Sequence, residues 1–142
     1  MKPSSIMTTL ATVLNMIATL LVGFFVFYSI GVSDPPRDNV GDLAVIQAFA
    51  KQKQLELRVV EVLTLFFVIG FLISLIVWLR KGRPWNFVLS GLAVFHILVL
   101  LYCINNDLIF LPTFIYLSLA LDLVIIVAML FDKRVRYSSA RT

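Results

Sequence analysis

"FVLSGLAVFHILVLLYCINNDLIFLPTFIYLSLALDLVIIVAMLF", residues 87–131, decides the fold. Two apolar runs, 87–104 and 109–131, stand on either side of a short polar break, "NND" at 105–107. A helix crosses a bilayer core of roughly 30 Å with about 20 apolar residues. The first run is near the lower limit of that length and the second fills it. The break leaves room only for a tight antiparallel hairpin. Pro112 falls near the start of the second run, where its missing N–H costs little. Formal charge in the stretch is limited to Asp107, in the break, and Asp122, in the middle of the second run.

Working outward, two more apolar runs, 8–30 and 59–79, have the length to cross. The expected fold is all-α: one integral membrane domain over 1–142, a bundle of four transmembrane helices at about 8–30, 59–79, 87–104 and 109–131. Residues 31–58 form an outer loop with a longer helical extramembrane segment. Composition agrees, with 61% hydrophobic and 14% charged residues. A soluble domain is about 25% charged and under half apolar, so this chain has too little polar surface for water and its solvent is lipid. The first run is long for a signal-peptide core and lacks an A-x-A-like exit, so it is expected to stay as a helix.

Lys and Arg set the orientation. Lys2, Arg80, Lys81, Arg83, Lys133, Arg134, Arg136 and Arg141 share one side of a four-span chain. The other side holds Arg37, Lys51, Lys53 and Arg58, offset by six carboxylates. Both termini are therefore expected in the cytoplasm, with a bacterial inner membrane as the location. Trp78, Trp85 and Tyr137 fall near that boundary, where amphipathic rings are favoured. The net charge of +4 lies beside the hydrophobic runs rather than along one face, which argues against nucleic acid and for the lipid bilayer as partner. Cys103 is the only cysteine, so neither an intrachain disulfide nor a thiol relay can form. No catalytic set, metal cluster or cofactor motif is visible.

Outside the runs, "GVSDPPRDNVGD" (31–42) reads as a turn-rich lead-in, after which Asp42 or a neighbour caps a helix. Residues 43–69 contain no Gly or Pro. Span 2 then either continues outward as one helix from about 43 to 80 or bends near Leu55. Leu43, Ile46, Ala50 and Leu57 recur at helical spacing against polar residues 51–54, which suggests a modest apolar stripe. Leu43, Ile46, Lys51 and Lys53 are the candidate partner-docking residues. Arg80, Lys81, Arg83, Trp85, Lys133, Arg134 and Arg136 form the cytoplasmic basic and interfacial set.

An ionised Asp inside a membrane helix costs a few kcal/mol and usually faces a bundle interior or a wet cavity. Asp122 lies about 13 Å from the end of its span at Phe131, and His96 about 13 Å from the end of its span at Phe87. Asn15 lies about 10 Å in from Thr8. Three polar side chains on three helices fall in one slab, and a His96–Asp122 pair is open to adjacent helices. Their role is structural or a relay. Glu61, near the outer end of span 2, can reach headgroups. Thr64, Ser74, Ser90 and Ser118 are expected to bond to their own helix backbones, and Gly70, Gly91 and Ala93 to allow close helix approach.

Size and four-span layout are similar to the small multidrug resistance transporters, which carry a membrane-embedded glutamate in their first helix; span 1 here has Asn15 and no acid. The membrane-bound glutathione-using enzymes share the helix number, but their Arg/Asn/Glu-rich second helix has no counterpart in "LRVVEVLTLFFVIG". The "KGRPW" junction (81–85) resembles a turn common in bacterial four-span proteins and implies no activity. The expected function is non-enzymatic: an accessory, assembly or interaction subunit of a membrane complex, including an immunity-type partner. It would bind a membrane protein or a second copy of itself. The alternative is a small oligomeric ion-coupled transporter or channel using Asp122 and His96.

Overall fold

The computed structural model describes residues 3–34, 41–81, 85–105 and 112–139, with side chains over 5–34, 41–81, 85–105 and 113–131. Four helices follow in order: α1 (Pro3–Val32), α2 (Leu43–Lys81), α3 (Asn86–Asn105) and α4 (Pro112–Ser139). The described chain is all-helical, and each helix is long and apolar enough to cross a membrane.

Local chemistry sets the helix ends. α1 starts on Pro3, whose fixed φ suits a first turn. It stops at Ser33, whose N–H and hydroxyl both donate to Ile30 O, at 3.3 and 2.7 Å. An orphan end carbonyl is thereby satisfied. α2 is capped by Asp42. Its Oδ1 accepts from the Ala44 N–H at 3.0 Å, and its carbonyl accepts from the Ile46 N–H at 3.1 Å.

From that cap α2 runs without interruption for 39 residues, roughly 58 Å. Of the two alternatives, one helix from about 43 to 80 or a bend near Leu55, the structure has the first, and residues 43–58 are the first part of α2 rather than a separate segment. The reason is compositional: no Gly or Pro interrupts 43–69. The expected apolar stripe is also corrected. Leu43 is 70% exposed and Ile46 36%, while Val45, Phe49, Lys53 and Leu57 form a half-buried row. Lys53 Nζ donates to Ser33 O at 2.7 Å and lies over the Phe49 ring, tying this part of α2 to the end of α1.

The helices form a ring in which α1 touches α2 and α4, and α3 touches α2 and α4. Two apolar layers fill it. One joins Ala11, Phe67, Phe71, Trp78, Leu89, Ile125 and Met129; the other joins Val22, Val26, Ile30, Leu100 and Ile115. The first layer draws on the early part of α1 and α3 and the late part of α2 and α4, and the second reverses this. Only alternating up-and-down helices satisfy both layers. Large apolar side chains such as Leu10, Phe24, Phe66, Leu98, Leu123 and Leu130 cover the outside. A water-soluble domain does not expose apolar surface on that scale.

Close approaches fix the neighbours. A Cβ on Gly23 would overlap the Thr64 side chain, so α1 and α2 meet there at a distance only glycine permits. A Cβ on Gly70 would meet Leu92 Cδ2 at 3.2 Å, bringing α2 near α3. Gly91 has nothing near it, and Ala93 is fully buried. Trp78 is 7% exposed, and its Nε1 donates to Asn86 Oδ1 at 2.6 Å, joining α2 to the start of α3. Trp85 is half-buried against the first layer. Arg80 and Lys81 stand exposed in the last turn of α2, where cations suit the helix dipole. Arg83 lies outside the described residues. Lys133, Arg134 and Arg136 lie on α4, with side chains outside the described set.

Candidate functional site

Between the two apolar layers lies a polar one. Asn15 and Thr19 come from α1, His96 from α3, and Ser118 and Asp122 from α4. All five are buried, with Asn15, Ser118 and Asp122 at 0% exposure. Helical geometry places them: residues four apart share one face, so Asn15 and Thr19 stack on α1 and Ser118 and Asp122 stack on α4.

The bonds run toward Asp122. Ser118 Oγ donates to Asn15 Oδ1 at 2.7 Å, and Asn15 Nδ2 donates to Asp122 Oδ1 at 2.6 Å. Asp122 Oδ2 faces His96 Nδ1 at 2.8 Å, with one proton between them. Both carboxylate oxygens are therefore matched, the condition for holding an acid away from water. A neutral imidazole with its hydrogen on Nδ1 donates to the carboxylate and leaves a lone pair on Nε2.

On that side of the ring, Thr19 Oγ1 lies 3.4 Å away. Thr19 gives its single hydroxyl hydrogen to Asn15 O at 2.7 Å, so toward His96 it can only accept. The ring is wedged by α2, with Phe67 at 4.4 Å between centroids and Phe71 edge-on at 5.6 Å. All four helices thus contribute to the site, α2 with aromatic walls and the others with hydrogen bonds.

A cavity of about 60 Å³ opens beside His96. His96 and Thr19 line it and Asp122 does not. Its other walls include Gly23, Thr64, Phe67 and Cys103. A shallower groove on the outer side of α1 and α2, lined by Phe24, Phe27, Glu61 and Leu65, shares Gly23, Val60 and Thr64 with it.

The structure brings together Asn15, His96 and Asp122, the three residues matched by depth in the sequence. Thr19, Phe67 and Phe71 join them without having been singled out. Ser118 bonds across to α1 instead of to its own helix, whereas Thr64 and Ser90 do bond to their own backbones. The four-residue spacing of Asn15–Thr19 and Ser118–Asp122 was a readable signal for the additions. Leu43, Ile46 and Lys51 lie far along α2, exposed and apart from the polar layer. Among the described residues no group of three His, Cys, Asp or Glu side chains is placed to hold a metal. Compared with protein-family models, curated proteins and solved structures, the chain matches none.

Proposed function

We propose that this is a multi-pass protein of a bacterial inner membrane that acts as a non-enzymatic accessory or interaction subunit. The polar layer fixes the bundle, and the first part of α2 presents a recognition surface. The observation that carries this reading is how the polar groups are used. In the core they bond to one another, whereas Leu43, Ile46 and Lys51 stand exposed on a helix about twice as long as a bilayer core is thick. With both termini cytoplasmic, as the Lys/Arg bias favours, that part of α2 projects on the opposite side.

Two experiments test this. Reporter fusions after Thr142 and within residues 41–50 should report cytoplasm and periplasm respectively; a periplasmic signal from the first sinks the topology. Purification in mild detergent with mass spectrometry should recover a stoichiometric membrane-protein partner, and Leu43→Glu, Ile46→Glu or Lys51→Glu should lower its recovery several-fold. Lys53 is left intact because it holds the end of α1. Recovery of the chain alone, or only as a homo-oligomer, overturns the reading.

A second reading, a small ion-coupled transporter or channel, is favoured by one observation: His96, paired with the buried Asp122, borders a cavity. Proteoliposomes under a proton gradient should then show flux that Asp122→Asn abolishes. Equal flux in both proteins, or none in the wild type, removes this reading.

A further inference from the structure

We propose that this chain pairs with a second copy of itself along the outward face of α2, as a parallel two-stranded coiled coil that begins outside the bilayer and continues into it. The proposal stands apart from the accessory-subunit reading and does not rest on it.

The bundle uses one side of α2, where Phe67, Phe71, Ser74 and Trp78 are buried. On the opposite side run Leu55, Val59, Val62, Phe66, Ile69, Ile73 and Ile76, all exposed, with Leu55 at 64% and Val62 at 65%. Their spacing alternates four and three without a break, the 3.5-residue period of heptad positions d and a. Counted back toward the cap, the same period falls on Gln52 and Ala48, both exposed. The seam from Ala48 to Ile76 is about 42 Å long. An apolar period sustained over that many heptads, with charge beside it, is the pattern of a coiled coil.

Within the bilayer, lipid alone can cover such a face. Beyond the bilayer it cannot. About 20 residues counted from Arg80 take α2 across a bilayer core and end near Val60. Ala48, Leu55 and Val59 therefore continue the seam into water, between exposed Lys51, Gln54, Glu56 and Arg58. Leu43 and Ile46 lie at positions f and b of the same heptads, off the seam, so a second copy leaves them free.

Charge selects the occupant and its register. With Gln52 and Val59 at a and Leu55 and Val62 at d, Lys51 stands at g and Glu56 at e. Copies inserted the same way lie parallel, and in a parallel pair each g residue meets the e residue five positions on in the facing helix. Lys51 thus meets Glu56 of the second copy. Two-fold symmetry repeats the pair on the other flank of the seam. Both groups are available: among the described residues Lys51 makes no ion pair in its own chain, and Glu56 accepts from Gln52 Nε2 through Oε1 alone, at 2.9 Å. Because every seam residue is its own counterpart in the second copy, the contact closes at two copies.

The test is fluorescence energy transfer between donor- and acceptor-labelled copies in phosphatidylethanolamine/phosphatidylglycerol vesicles, followed as the protein is diluted in lipid. Wild type should show transfer that unlabelled protein competes away. Leu55→Lys places a charge at the centre of the seam and should weaken association at least about tenfold. Leu55 is exposed in the single copy, so helix content should not change. Lys51→Glu and Glu56→Lys each set like charges against one another on both flanks and should each weaken association several-fold. Mixed together, these two variants restore both opposite-charge pairs and should associate within about twofold of wild type. Transfer no greater than random copies give at the same density overturns the proposal. So does transfer that survives Leu55→Lys, or a mixture that associates no better than either variant alone. The vesicles hold only this chain, so the outcome is independent of any other membrane protein. A dimer in vesicles from a chain that recovers no larger partner supports the proposal and removes only the accessory-subunit reading.

Discussion

Asn15 and Asp122 lie 107 positions apart in the chain and meet at 2.6 Å in the centre of the bundle, the amide of one donating to the carboxylate of the other. This bond joins α1 to α4, the two helices that no loop makes neighbours. Asn15 also takes the Ser118 hydroxyl, so one amide serves two α4 side chains one turn apart.

Asn15→Ala should therefore cost more than an ordinary hydrogen bond. It leaves Asp122 Oδ1 and the Ser118 hydroxyl unmatched in a dry core, for about 1–3 kcal/mol. Ser118→Ala removes one donor and should cost under about 1 kcal/mol, near the average for hydrogen bonds between membrane helices. Unfolding by titration with sodium dodecyl sulfate in mixed micelles measures both. Equal losses would mean that Asn15 is not the junction of the network.

Asp122→Asn should keep the layer assembled while reversing the histidine. The new amide still accepts from Asn15 and now donates to His96 Nδ1, so the ring hydrogen moves to Nε2, toward Thr19. Ring nitrogen shifts of the single histidine report the change of tautomer directly. Asp122→Leu provides neither bond and should destabilise by several kcal/mol, since His96 and Asn15 lose their partner together. If the leucine variant is as stable as wild type, the polar layer does not hold the bundle.

Gly23→Ala should be destabilising by about 1–3 kcal/mol, because the added methyl has no room beside Thr64. Thr64→Ala removes the two atoms that crowd it most. The double variant should then recover part of the loss, with a coupling energy of at least about 0.5 kcal/mol. Purely additive losses would place the two helices farther apart than described.

Trp78→Phe and Asn86→Leu should each cost about 1 kcal/mol through the bond from Nε1 to Oδ1 at the α2–α3 junction. The pair should be less than additive, since either change alone breaks the same bond. Denaturant midpoints of the single and double variants decide it; fully additive costs would show that the bond contributes nothing beyond side-chain burial.

The sequence alone determined the number of helices and their approximate extent, because hydrophobic length is a local property read directly against bilayer thickness. It also placed Asn15, His96 and Asp122 at one depth, because rise per residue is fixed in a helix. Which faces turn inward was not legible. α3 is apolar all round, and where the surroundings are as apolar as the core, no pattern of polar and apolar residues marks the buried side. Only the tertiary structure decided that α1 lies against α4, that Asn15 rather than His96 alone holds Asp122, and that Ser118 and Thr19 complete the layer. It likewise decided that Val45, Phe49 and Lys53 are half-buried while Leu43 and Ile46 stand exposed. These are relations between residues tens of positions apart, fixed by close helix contacts such as Gly23 against Thr64 and by the cost of leaving a buried carboxylate unmatched.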